Sequence, residues 1–157
     1  MILFFTEEID FQLLRKNSWK SWIKDVCKKH GVNAGELNYI FCSDEYLLKI
    51  NRQYLDHDYY TDIITFPSDC EDGNISGDLF ISVDRISDHA EVNQCSFFEE
   101  LKRVMIHGVL HLIGYGDKTE SESEKMRELE LDAMLMFHVE HETNFYKANV
   151  PRGTKQE

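Results

Sequence analysis

The sequence predicts a single α+β domain, a mixed sheet of about four strands with helices around it. Three observations carry this prediction. The chain has 157 residues, 42% of them hydrophobic and 29% charged, which is the size and balance of one soluble domain that folds without staples. Four short segments have strand character, and five longer ones have helical spacing or helix caps. No repeat, low-complexity tract or proline-marked linker divides the chain, whose only prolines are Pro67 and Pro151. The domain is expected over residues 1–143, with the polar stretch 144–157, which holds Pro151 and Gly153, as a flexible tail.

Ile2 to Phe5 reads as the first strand. Residues 10–30 read as a helix with Leu13, Leu14, Trp19, Trp22, Ile23 and Val26 on its apolar side and Gly31 at its end. Leu37, Tyr39 and Phe41 alternate with Asn38, Ile40 and Cys42 in a second strand, after which Ser43 caps a helix from Asp44 to about Leu55. Thr61 to Phe66 is a β-branched run stopped by Pro67, and Gly77 to Val83 is the fourth strand. Asp84 is the expected cap of a short helix towards Gln94, and Ser96-Phe97-Phe98-Glu99 fits a capping box for a helix reaching Ile113 and ending at Gly114. Ser121-Glu122-Ser123-Glu124 is a further capping box, opening a last helix with Met126, Leu129, Ala133, Met134 and Phe137 at core spacing.

Cys27, Cys42, Cys70 and Cys95 form no CxxC pair, so they are expected to be reduced thiols of a cytosolic protein. The apolar start is cut short by Glu7, Glu8 and Asp10, unlike a signal peptide, and no stretch approaches the roughly 20 apolar residues that span a bilayer. Seventeen basic against 29 acidic residues give a formal charge of −12, which repels polyanions and by itself counts against nucleic-acid binding. The charge is uneven. Residues 10–30 hold six bases against two acids, and Lys16, Lys20, Lys24 and Lys28 recur every four residues. That spacing makes one stripe on a helix, either a solvated outer face or a track for phosphates.

The chemistry is concentrated in His107-Gly108-Val109-Leu110-His111-Leu112-Ile113-Gly114-Tyr115-Gly116-Asp117. Spacing i, i+4 on a helix sets His107 and His111 side by side, as two imidazoles must be to share a metal ion. Gly114 is free to turn the chain back, which lets Asp117 return as a third ligand. Two imidazoles and a carboxylate suit zinc or another divalent ion with one position left for water. The alternative is a pair of core histidines, with Asp117 capping the next turn. Helical zinc peptidases carry a glutamate base directly after the first histidine, whereas Gly108 stands there in this chain. That leaves hydrolysis by a metal-bound water as the expected reaction class. His138 and His141 are expected to be exposed, and His30, His57 and His89 stand singly in the sequence.

The segment from His107 to Tyr115 resembles the signature of the YbeY family of bacterial metal-dependent endoribonucleases. Ile50-Asn51-Arg52-Gln53-Tyr54 followed by Thr61-Asp62-Ile63-Ile64-Thr65-Phe66-Pro67 is similar to that family's LNxxYR…TDVLSFP stretch. Gly77-Asp78-Leu79-Phe80-Ile81-Ser82 is similar to its GDIxIS strand, and Met126 and Glu130 fall on its downstream Met and Glu. Two positions depart from the pattern. Gly116-Asp117 replaces the family's Asp-His, so a carboxylate takes the place of the third histidine, and Leu55 replaces the arginine of the family's Tyr-Arg pair. Arg52, one helical turn before Leu55, is the candidate substitute for that charge.

The resemblance implies a zincin-like fold and a cytoplasmic endoribonuclease with one Zn²⁺ per chain on His107, His111 and Asp117. It implies single-stranded RNA as substrate and action on ribosomal RNA, including 3′-end maturation of the small-subunit RNA, in association with the ribosome or its small subunit and in ribosome quality control. Two other readings stay open. One is a metal-dependent hydrolase of another substrate such as a peptide, and the other is a non-catalytic ribosome-associated metal-binding protein.

Overall fold

Successive backbone segments settle into strands and helices according to which side chains they bury. The computed structural model describes residues 1–149. In chain order these form β1 (Ile2–Glu7), β2 (Phe11–Leu13), α1 (Lys16–Lys29), β3 (Asn33–Cys42), α2 (Asp44–Leu55), β4 (Ile63–Pro67) and β5 (Asn74–Ser82). There follow α3 (Val83–Val92), α4 (Phe97–Ile113), α5 (Glu120–Leu135), a 3₁₀ turn at Glu142–Asn144 and β6 (Tyr146–Ala148). One sheet has the order β1-β3-β5-β4, with β1, β3 and β5 parallel and β4 antiparallel to β5 at the edge; β2 and β6 form a separate antiparallel pair. This is the single α+β domain with a four-stranded mixed sheet and five helices that the sequence predicts.

Period-two side chains sort the two faces of the sheet. Ile2, Leu37, Tyr39, Phe41, Leu79 and Ile81 are buried in one core with Trp19, Ile23 and Val26 of α1 and Leu101, Met105, Ile106 and Val109 of α4. Each fully buried aliphatic of this set contributes about 1.5–3 kcal/mol. The other face is smaller, with Cys42, Leu47 and Ile64 buried and Phe66 and Phe80 packed over them against α2. Met126, Leu129, Ala133, Met134 and Phe137 are buried as their spacing predicts, the methionines serving as core.

Four local readings are corrected. Residues 11–13 form β2 rather than the start of the helix, because Phe11 and Leu13 are buried on either side of exposed Gln12 and Arg15 turns left-handed at φ 52°. α3 is capped by the Ser82 hydroxyl, which accepts from Arg85 N–H, while Asp84 instead accepts from the backbone N–H of Asp44. α5 opens at Thr119, not Ser121, because Glu122 closes the capping box with Thr119 and also accepts from Lys118 N–H. The stretch from 144 is not all tail, since Phe145 is buried and β6 pairs with β2; residues 150–157 of the expected tail lie outside the described part. The lysine stripe faces solvent, Lys16, Lys24 and Lys28 being exposed and Lys20 half-buried.

α4 passes beneath β5 and the edge strand β4, and Gly108 is what lets it come so close. A Cβ at that position would run into the Leu79 side chain and lie 2.8 Å from Ile63 Cδ1 and 3.3 Å from Thr65 Oγ1. The residue after His107 thus faces the sheet, not the solvent side of the helix.

Candidate metal centre

His107 and His111 lie one turn apart on α4, with ring centroids 4.4 Å apart and planes at 86°. Each Nδ1 has an acceptor, His107 pairing with Glu130 Oε2 at 2.6 Å and His111 with the Tyr115 carbonyl oxygen at 2.9 Å. A carboxylate and a carbonyl only accept, so the Nδ1 atoms donate and the neutral rings turn bare Nε2 lone pairs towards each other. The two Nε2 atoms are 2.9 Å apart, and Asp117 Oδ2 is 3.4 Å from that of His107 and 3.6 Å from that of His111. Three acceptors converging in this way need a positive charge among them. Ligand atoms around four-coordinate zinc are spaced about 3.3 Å apart, from metal–ligand distances near 2.0–2.2 Å, so this triangle has the right size and chemistry for a divalent cation.

Backbone geometry builds the third corner. Gly114 takes φ 126°, its N–H bonding the Leu110 and His111 carbonyls, and Tyr115 N–H returns to Leu110. This reversal brings the Tyr115 carbonyl under His111. Asp117 is then tied to the start of α5 by the Ser123 hydroxyl, which donates to its carbonyl at 2.9 Å. Tyr115 also reaches α1, with its hydroxyl 3.1 Å from His30 Nδ1.

α5 supplies Glu130, 6% exposed, and its position is held from α4. The buried Lys102 ammonium donates to the carbonyls of Met134 and Phe137 near the end of α5, at 3.3 and 3.1 Å. Burial opposes charge on His107, but the Glu130 hydrogen bond and the charges of Glu130 and Asp117 outweigh it and raise the imidazole's pKa.

The three residues open on a cleft of about 550 Å³ between α4, β4 and the loop after α2. Leu55, His57, Tyr59 and Asp62 line its far wall. Asn51 shapes that wall, its side-chain amide donating to the Tyr59 carbonyl at 2.9 Å. The structure brings His107, His111 and Asp117 together but leaves Arg52 out of the lining, exposed and paired with Asp58. Leu55, where the family pattern has arginine, is the residue of that helix end that faces the cleft. His30, His57 and His89 stand singly in the sequence, yet His57 stacks on Tyr59 with centroids 5.2 Å apart and His89 lies 3.6 Å from Asp62. Glu130 is legible in the sequence only as a match to the family pattern. No local spacing marks these partners, since most come from other elements.

An α+β domain that turns two imidazoles and a carboxylate into an open cleft defines a candidate metallohydrolase. The family model for Endoribonuclease YbeY matches residues 4–138. Endoribonuclease YbeY of Cytophaga hutchinsonii is 52% identical over 134 residues, 85% of this chain and 93% of that protein. Endoribonuclease YbeY of Flavobacterium johnsoniae is 50% identical over 137 residues, 87% of this chain and 97% of that protein. The solution structure of TM1509 from Thermotoga maritima matches with a TM-score of 0.63 at 26% identity, covering 87% of this chain and 89% of that one. The chain belongs to the YbeY endoribonuclease family. No helix among the described residues is long and apolar enough to cross a membrane.

Proposed function

We propose that this chain is a zinc-dependent endoribonuclease that cuts single-stranded RNA in the cytoplasm. It acts in ribosomal RNA maturation, including the 3′ end of the small-subunit RNA, and in ribosome quality control, in association with the ribosome. A zinc ion is held by His107, His111 and Asp117. The observation that carries this reading is the convergence of their three acceptor atoms on an open cleft, in a member of an endoribonuclease family.

A bound divalent cation supplies Lewis acidity to a phosphoryl oxygen and lowers the pKa of water. The chain's own groups do the rest. Glu130 and the Tyr115 carbonyl hold the two imidazoles in the tautomer that leaves Nε2 free. His57 and Tyr59, stacked at an interplanar angle of 21° on the cleft wall, offer an aromatic surface to an unpaired base. Such stacking is open to single strands, whereas duplex bases have their faces covered. Arg52 is an outer phosphate contact, since Asp58 holds it away from the metal-facing wall. On a chain of charge −12, RNA affinity is expected to fall steeply with salt.

The test is cleavage of a labelled single-stranded RNA by zinc-loaded protein beside a His107→Ala preparation purified identically. Cutting by the wild type alone, stopped by a chelator, is expected; equal cutting by both, or by neither, refutes the nuclease reading. One observation favours a non-catalytic ribosome-associated role, namely Leu55 on the cleft wall with Arg52 engaged elsewhere. Retained zinc with no cutting would select it. A peptidase of the HExxH type is disfavoured because the position of its base is packed against Leu79 and Ile63.

A further inference from the structure

We propose that Asp62, His89 and Glu100 form a second divalent-cation site beside the same cleft, which Asp62 lines. The residues come from three elements. Asp62 precedes β4, fixed by its carbonyl, which accepts from Ser82 N–H at 2.9 Å. His89 lies near the end of α3, and Glu100 lies in the first turn of α4. One ligand atom from each falls within 4.8 Å of the other two, with His89 Nδ1 3.6 Å from Asp62 Oδ2.

Glu100 is buried with only long contacts to its partners. Its side chain is 4% exposed, yet its contacts are the Cys95 thiol at 3.8 Å and Arg103 Nε at 3.6 Å. Charge-assisted hydrogen bonds run at about 2.7–2.9 Å, so neither contact is a close one. Arg103 is moreover shared with Glu130 at 3.4 Å. The other nearby guanidinium, Arg85, is engaged by Asp44 at 3.0 Å and Asp88 at 2.6 Å. A buried carboxylate without close compensation is costly, and a second carboxylate beside it raises that cost. A divalent cation satisfies both carboxylates at once and takes His89 as a neutral ligand. One imidazole with two carboxylates suits a hard to borderline ion, Mn²⁺ or Zn²⁺. Because Asp62 lines the cleft, the ion adds positive charge to that wall of an acidic chain.

Metal counting tests this independently of RNA cleavage. The full chain is dialysed to equilibrium with Zn²⁺ or Mn²⁺ alone, and bound metal is measured by elemental analysis, with circular dichroism confirming the fold of each variant. The wild type is expected to hold two ions per chain. His89→Ala and the partly exposed Asp62→Asn are each expected to hold one, with the second dissociation constant raised at least tenfold. The His107→Ala/His111→Ala variant is expected to keep the ion at Asp62, His89 and Glu100. Saturation of the wild type at one ion overturns the proposal. So does a second ion that survives both His89→Ala and Asp62→Asn, or one lost on substituting exposed His138 and His141.

Discussion

Replacing Glu130 by glutamine separates the charge beside His107 from the shape that holds it. Glu130 is 6% exposed, and its Oε2 lies 2.6 Å from His107 Nδ1. Glutamine keeps an amide oxygen for that N–H, so the tautomer survives and only the negative charge is lost. Outer partners of metal-ligating histidines are worth about 10–100-fold in affinity, which is about 1.4–2.7 kcal/mol. The zinc dissociation constant of Glu130→Gln is expected to rise by that factor in competition with a chromophoric chelator. The packing of α4 on α5 is expected to persist, because Lys102 keeps its bonds to the Met134 and Phe137 carbonyls. The metal-free chain has a second signature. His107 has a raised folded-state pKa, so its protonated form contributes stability that is complete below the unfolded value of about 6.5 and lost as pH rises through the folded value. Removing the Glu130 charge lowers the folded pKa and flattens this fall in melting temperature with rising pH, measured in chelator. Zinc affinity within twofold of wild type, with an unchanged pH profile, would refute the view that Glu130 tunes His107 and would leave it a packing residue.

Asp117→Ala, at a side chain 41% exposed, is expected to lower zinc affinity at least tenfold while the metal-free melting temperature stays put; unchanged stoichiometry after dialysis would remove Asp117 from the ligand set. Gly108→Glu is expected to destabilise by at least about 3 kcal/mol in urea unfolding and to create no peptidase, because its side chain is driven into Leu79 and Ile63. A variant as stable as wild type would contradict that packing. Arg52→Ala is expected to lower RNA cleavage by no more than about fivefold with an unchanged melting temperature, and a loss of a hundredfold or more would place Arg52 at the reacting phosphate. Burial pushes the Cys27 and Cys42 thiols up to about 11 and about 12 from 9.0. Above pH 9 the unfolded chain therefore releases protons that the native chain keeps, and stability is expected to fall by about 1.4 kcal/mol per pH unit per thiol. Cys27→Ala is expected to make the alkaline fall shallower, and exposed Cys70 to react with a thiol reagent before either buried cysteine.

The sequence by itself determined the elements whose causes are local. α2 and α4 begin at Ser43 and Ser96 because a hydroxyl three residues upstream reaches the backbone N–H of Tyr46 and Glu99. His107 and His111 meet because four residues are one helical turn, and Asp117 joins them because Gly114 reverses the chain at φ 126°. Where two local solutions competed, as at Thr119 and Ser121 or along residues 10–15, the choice fell to contacts made elsewhere: the Glu122 carboxylate in one case and the pairing of β2 with β6 in the other. Only the tertiary structure decided the environment of the centre. Glu130 lies 23 residues from His107, and His89 lies 27 residues from Asp62. Neither separation has a periodicity to betray it, because such pairs are set by how helices pack on a sheet, whereas spacing along a chain records only the geometry of a single element.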